Sequence, residues 1–213
     1  MRKLILKMSM SLDGFVGGPQ GEIDWLLRTY DDEATAWTVE NLWLAGAHVM
    51  GSRTFHDMAS YWPASREPFA PPMNEIPKVV FSRKGLAAAG ADPASTTRAL
   101  VDALAQLNPR SEDEGAARET WAKARVVTGE LSDEIGRLKQ EPGRDLLAHG
   151  GAGFARSLVA CGAVDEYRLL IHPVALGRGL PLFSDLPRPV DLALVEARSF
   201  RGGAVAQIYR PRP

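Results

Sequence analysis

Asp145-Leu-Leu-Ala-His-Gly-Gly-Ala-Gly-Phe154 is the stretch that decides the fold. Leu146, Leu147 and Ala148 make a short buried strand. Gly150 and Gly151 follow it, and a helix begins directly after. Two glycines at a strand-to-helix junction let backbone approach a ligand closely. The free N–H groups of the helix that follows attract an anion, and a diphosphate bridge is the obvious one. A second junction of the same kind, Val49-Met-Gly-Ser-Arg-Thr54, lies well upstream.

Working outward, strands and helices alternate. Residues 3–10 form an apolar first strand that ends in the turn Ser11-Leu-Asp-Gly14. Gly17-Gly-Pro-Gln-Gly21 continues as a loop. A helix over residues 33–44 puts Trp37, Asn41 and Leu44 on one face. Residues 47–50 read as a buried strand, 54–60 as a short helix and 76–81 as the next strand, ending in Ser82-Arg83. Residues 85–124 carry too few large apolar side chains for a core of their own. They read as a surface excursion of a single domain, helical around 99–107 and charged at Arg110-Ser-Glu-Asp-Glu-Gly115. Order returns with a strand at 125–128. Leu131, Ile135 and Leu138 share a helical face, and Phe154, Leu158 and Cys161 mark another helix, which Gly162 closes. A strand at 167–171 and an antiparallel hairpin, 193–200 with 204–209, complete the chain. The pattern predicts an α/β fold with a mostly parallel mixed sheet covered on both faces. In such sheets ligands bind at the carboxyl ends of the strands. The junctions after Met50 and His149, and Ser82-Arg83 after Phe81, all fall there.

Composition narrows the function. The 213 residues are 45% hydrophobic and 24% charged, with a net charge of −1. Nothing in that balance favours nucleic acid or an anionic membrane surface. A single cysteine, Cys161, leaves no disulfide framework and no cysteine-rich zinc site; its apolar helical setting predicts a buried, inert thiol. Lys7 interrupts the N-terminal apolar run too early for a signal peptide, and no run is long enough to span a bilayer. The expected location is the cytoplasm.

Taken in order, Ser9-Met-Ser-Leu-Asp-Gly14, Met50-Gly-Ser-Arg-Thr-Phe55, Val79-Val-Phe-Ser-Arg83, Gly150-Gly-Ala-Gly153 and the block from Val164 to Phe183 resemble one family. It is the dihydrofolate reductase-like family, in the branch named for the reductase domain of the bifunctional riboflavin-biosynthesis deaminase-reductase. The Asp-Glu, Pro, Leu-Gly, Gly and Leu-Phe positions within 164–183 are its most specific part. The resemblance implies a three-layer α/β/α fold, NADPH as hydride donor and a homodimer. It implies that Gly51, Ser52, Arg53 and Thr54 line the cofactor diphosphate, and that Gly150, Gly151, Ala152 and Gly153 hold it from the other side. Ser82 and Arg83 would meet the adenosine 2′-phosphate. The residue types suit these roles: guanidinium groups fork onto phosphate oxygens, and short hydroxyls donate. Two departures stand out. The 85–124 segment is longer than the family pattern, and His149 stands where a small or aliphatic residue is expected. The zinc deaminase pattern is absent.

The implied function is an NADPH-dependent reductase acting on a small, pterin- or aminopyrimidine-like heterocycle. The alternative is a dinucleotide-binding sensor or partner-binding protein without turnover. Asp13 is the candidate proton path, or else a turn-forming Asp bonded to backbone. Trp25 either covers the nicotinamide or substrate, or anchors its loop in the core. His48, His149 and His172 sit on different elements without metal-ligand spacing, so no metal is expected. Asp165 and Glu166 are adjacent on a strand and point to opposite faces, so they cannot both serve one site; the family resemblance implies a structural role for them. Arg178 reads as a surface arginine.

Overall fold

A computed structural model describes residues 1–86, 104–105 and 115–212. Its centre is an eight-stranded sheet in the order β5-β4-β3-β6-β1-β7-β10-β9. The first strand, β1 (Leu4–Ser11), lies between β6 (Leu146–His149) and β7 (Glu166–His172) and is parallel to both. Beyond β6 come β3 (Ala47–Gly51), β4 (Lys78–Phe81) and β5 (Arg125–Val127), again parallel. On the other side β10 (Val205–Pro211) pairs antiparallel with both β7 and β9 (Leu192–Ser199). A two-stranded ribbon, β2 (Phe15–Gly17) with β8 (Leu180–Pro181), ties the loop after β1 to the loop after β7.

The period of two along each strand builds two cores. Leu4, Leu6 and Met8 of β1 face one side, with Val49, Val79, Leu146 and Ala148. Helices α6 (Leu131–Gln140) and α7 (Ala152–Ala160) cover that side through Ile135, Leu138, Ala155 and Leu158. Ile5, Met50, Val80 and Leu147 face the opposite side. There α3 (Ser52–Tyr61), α4 (Ala70–Glu75) and α5 (Gly115–Ala122) supply Phe55, Met58, Tyr61, Met73 and Trp121. Lys7, His48 and His149 lie two residues from Ile5, Met50 and Leu147, so the pleat puts them on this second side. The short α1 (Asp24–Leu27) and the longer α2 (Asp32–Trp43) lead into β3. Asp31 caps α2, accepting a hydrogen bond from the Ala34 N–H.

The last described part of the expected surface excursion is α5, whose residues are exposed or half-buried except Trp121, which is buried and donates its indole N–H to Asn74 Oδ1 at 2.8 Å. The rest of that expectation, including the helix around 99–107 except Leu104 and Ala105 and the charged run at 110–114, lies outside the described residues. Cys161 is exposed, not buried: α7 ends at Ala160, and the next residue leaves the apolar face. Glu166 meets its structural expectation. Its buried carboxylate accepts from Arg168 at 2.6 Å and Arg210 at 2.9 Å, the pairing a buried carboxylate requires.

Candidate functional site

Three helices begin at the carboxyl ends of the strands and point their N-termini into one groove. Helix α3 follows β3 at Gly51, α7 follows β6 at Gly151, and α6 starts after Glu130. None of the three has a side-chain hydrogen bond capping its N-terminus. Their first N–H groups have no helical acceptor and make a positive end. Gly51, Ser52, Arg53, Thr54, Ser82, Arg83, Gly151, Ala152 and Gly153 all line this groove, a cavity of about 710 Å³. Arg156 adds a further cation and Glu130 an opposing charge.

Gly151 is closely packed and has a positive φ. Its φ is +64, and a Cβ there would stand 2.6 Å from Thr54 Oγ1. Thr54 in turn donates to the Gly150 carbonyl at 3.4 Å, so it joins the two junctions across the sheet. Ser82 lines the groove, but its hydroxyl hydrogen is donated to the Gly85 carbonyl at 2.8 Å. It is therefore left to accept, not to donate as the residue type suggested.

Gly150 faces elsewhere. It lines a second, more apolar cavity of about 300 Å³ on the other side of the Gly150–Gly151 peptide. Leu26, Leu27, Leu42, Met58, Trp62, Phe69 and Met73 form its walls. A few polar groups converge there: Lys7, Ser9, Tyr30, Thr38 and His149. The Tyr30 hydroxyl lies 3.3 Å from Thr38 Oγ1. Burial by itself would raise the Tyr30 pKa. The Lys7 ammonium and hydrogen bonds with Thr38, Ser9 and Lys7 outweigh it and hold the phenol below its ordinary value. An apolar pocket with a few convergent polar groups and a perturbed phenol is the usual form of a small-molecule site.

Tyr30 and Thr38 carry no local mark in the sequence that points to this pocket. A lysine in the middle of an otherwise apolar central strand was the available signal. Trp62 also lines the pocket.

Two expected site residues stand elsewhere. The Asp13 carboxylate accepts from the Ser11 hydroxyl at 2.6 Å and from the Leu176 and Gly177 N–H groups at 3.1 and 2.7 Å. Those donors, the Ser11 hydroxyl foremost, lower its pKa to about 2. It lines neither cavity and carries no proton to give at neutral pH. Its place is the turn-forming one, extended to clasp the loop after β7. Trp25 is buried against Ile23 and Leu26, donates its indole N–H to the Glu22 carbonyl at 3.0 Å and meets His172 edge-on at 5.4 Å. It anchors its loop in the core and lines neither cavity. Arg178 is exposed.

The histidines are closer than their separate elements suggested. His149 Nε2 lies 2.6 Å from His48 Nδ1, and His48 Nε2 lies 3.1 Å from the Pro72 carbonyl. Among the described residues no cluster of His, Cys, Asp and Glu could hold a metal, and no helix is long and apolar enough to cross a membrane.

A family profile described as the RibD C-terminal domain matches residues 2–206. The chain belongs to that family. Two curated relatives from Bacillus subtilis (strain 168) run alongside nearly its whole length. Uncharacterized protein YyaP is 29% identical over 98% of this chain and 94% of its own. Uncharacterized protein YwjB is 25% identical over 99% and 98%. Among solved structures, a pyrimidine reductase-like protein from Corynebacterium diphtheriae superposes with a TM-score of 0.62 at 15% identity, over 100% of this chain and 92% of that one. Dihydrofolate reductase from Enterococcus faecalis, complexed with NADP(H) and RAB-propyl, does so with a TM-score of 0.58 at 13% identity, over 99% and 97%. The fold of this RibD C-terminal family member is therefore dihydrofolate reductase-like, and its family supports a reductase-like role.

Proposed function

We propose that this RibD C-terminal family member is an NADPH-dependent reductase of a small heterocycle. One observation carries the reading: a groove built from three uncapped helix N-termini and several arginines meets an apolar pocket at the Gly150–Gly151 peptide. The groove suits a diphosphate. Its donors are backbone N–H groups and guanidinium forks, and at Gly151 its backbone takes a positive φ that favours glycine. NADPH, when bound, supplies the hydride.

The chain's residues do the rest. Ser52, Arg53, Thr54, Ala152 and Gly153 hold the diphosphate, with Gly51 and Gly151 giving it close approach. Arg83, at the end of β4, takes the 2′-phosphate. Leu27, Leu42, Met58, Trp62 and Met73 exclude water from the substrate and sandwich a flat ring. Lys7 faces an electron-rich oxygen or nitrogen of that ring. Tyr30, its phenol acidified by Lys7, delivers the proton, a role Asp13 is not placed to fill. The loop held by Asp13, and by Trp25 further on, closes one side of the pocket. The homodimer implied by the family would use β9, an outer strand with Leu194 and Val195 about half exposed.

A fluorescence titration with NADPH and NADH tests the reading. The wild type is expected to prefer NADPH by at least about tenfold, and Arg83→Ala to erase that preference by loss of a charge-assisted contact. No binding of either nucleotide would remove the reductase reading.

A further inference from the structure

The reductase reading gives His149 nothing to do. Its surroundings do. The Pro72 carbonyl can only accept, so His48 must carry its hydrogen on Nε2 to bond it at 3.1 Å. Burial holds His48 neutral, its pKa pushed down to about 3. Its Nδ1 is then a bare lone pair. The contact at 2.6 Å therefore requires His149 to donate from Nε2. Burial, foremost, and the neighbouring His48, Lys7 and Lys78 likewise push His149 far below its ordinary pKa. His149 Nδ1 is left as a lone pair.

That lone pair is not sealed in. The buried side-chain polar atoms without a partner among the described residues are Trp62 Nε1, His172 Nε2 and Ser184 Oγ. His149 Nδ1 is not one of them. No hydrogen bond within the described residues engages it, and His149 lines the 300 Å³ pocket. Lys7 is its direct cross-strand partner on β1 and lines the same pocket. Neighbours on one face of paired strands present their side chains together. The pocket thus offers a pure acceptor beside a pure donor.

We propose that His149 is a tautomer-locked hydrogen-bond acceptor that selects pocket ligands carrying an N–H donor next to a carbonyl acceptor, as on the edge of a cyclic amide. The Pro72 carbonyl and His48 set the lock, and Lys7 takes the carbonyl. His149 is a specificity residue here, not an acid or base. This inference rests on the reading that the smaller pocket holds the substrate.

Two measurements test it. Nitrogen-15 NMR of the histidine rings should find His149 protonated at Nε2 and bare at Nδ1. His48→Phe should release it to a mixture of tautomers. A matched pair of probes, 2-quinolone and N-methyl-2-quinolone, should then separate. 2-Quinolone should perturb the His149 ring signals and bind at least about tenfold more tightly, as expected for one buried hydrogen bond. In His149→Leu the two probes should bind alike. Equal binding of the probes to the wild type, or a protonated Nδ1, would overturn the proposal. NADPH affinity of the wild type is measured alongside. If NADPH fails to bind while the probes still separate, the reductase reading falls and the selectivity of the pocket stands.

Discussion

Gly151→Ala should lose NADPH binding by at least about tenfold and lower stability by about 1–3 kcal/mol. Two separate penalties meet at this residue. Its φ of +64 lies in the region that L side chains avoid, and the added methyl would sit 2.6 Å from Thr54 Oγ1. Relief of either strain turns the start of α7 or moves Thr54, and both border the groove. Thr54→Ala in the same chain removes the contact but not the backbone strain. The double variant should therefore recover stability only in part. Urea unfolding and the fluorescence titration measure the two effects separately. A Gly151→Ala protein that folds normally and binds NADPH like the wild type would show that the diphosphate lies elsewhere.

Acid should unfold this protein early. His48 and His172 are buried, and burial lowers their pKa values to about 3 and about 4. His149 moves in the same direction. Each takes up a proton in the unfolded chain near its ordinary pKa of 6.5 and in the folded chain only well below it. Between those limits the unfolded state binds more protons, so stability rises with pH and is lost as pH falls from 6.5. From pH 7 to pH 5, His172 alone accounts for about 2 kcal/mol. Lys78, whose pKa burial lowers to about 7, extends the rise to the alkaline side for the same reason. Urea midpoints across pH 5 to 8 should climb steadily. His172→Gln should flatten the slope below pH 7, even if it lowers stability throughout. A flat profile in the wild type would mean that these imidazoles reach water.

The parts legible in the sequence were those with a local cause. A strand followed by Gly150-Gly151, or by Gly51-Ser52, can be read from a few neighbouring residues. The order of such units fixes a parallel sheet with its junctions on one edge, and nine of the ten residues expected at the cofactor line a single groove. The pocket has no such local mark. Lys7 comes from β1, Tyr30 from the loop before α2, Thr38 from α2 and His149 from β6. Only the sheet register sets Lys7 beside His149. Asp13 illustrates the same limit. Ser-Leu-Asp-Gly says that a carboxylate sits in a turn beside Ser11, but its two distant partners, Leu176 and Gly177, arrive through the β2–β8 ribbon. His48 and His149 looked unrelated because their strands are far apart in sequence and adjacent in the sheet. Cys161 was misplaced for a smaller reason: helix α7 stops one residue before it.

The most direct measurement is amide hydrogen exchange with and without NADPH, read residue by residue. The uncapped N-termini of α3 and α7 are the proposed grip on the cofactor diphosphate. NADPH should slow exchange at Ser52 to Thr54 and at Ala152 and Gly153, and leave α2 and the β9–β10 hairpin unchanged. Protection confined to other elements, or none at saturating NADPH, would contradict the account.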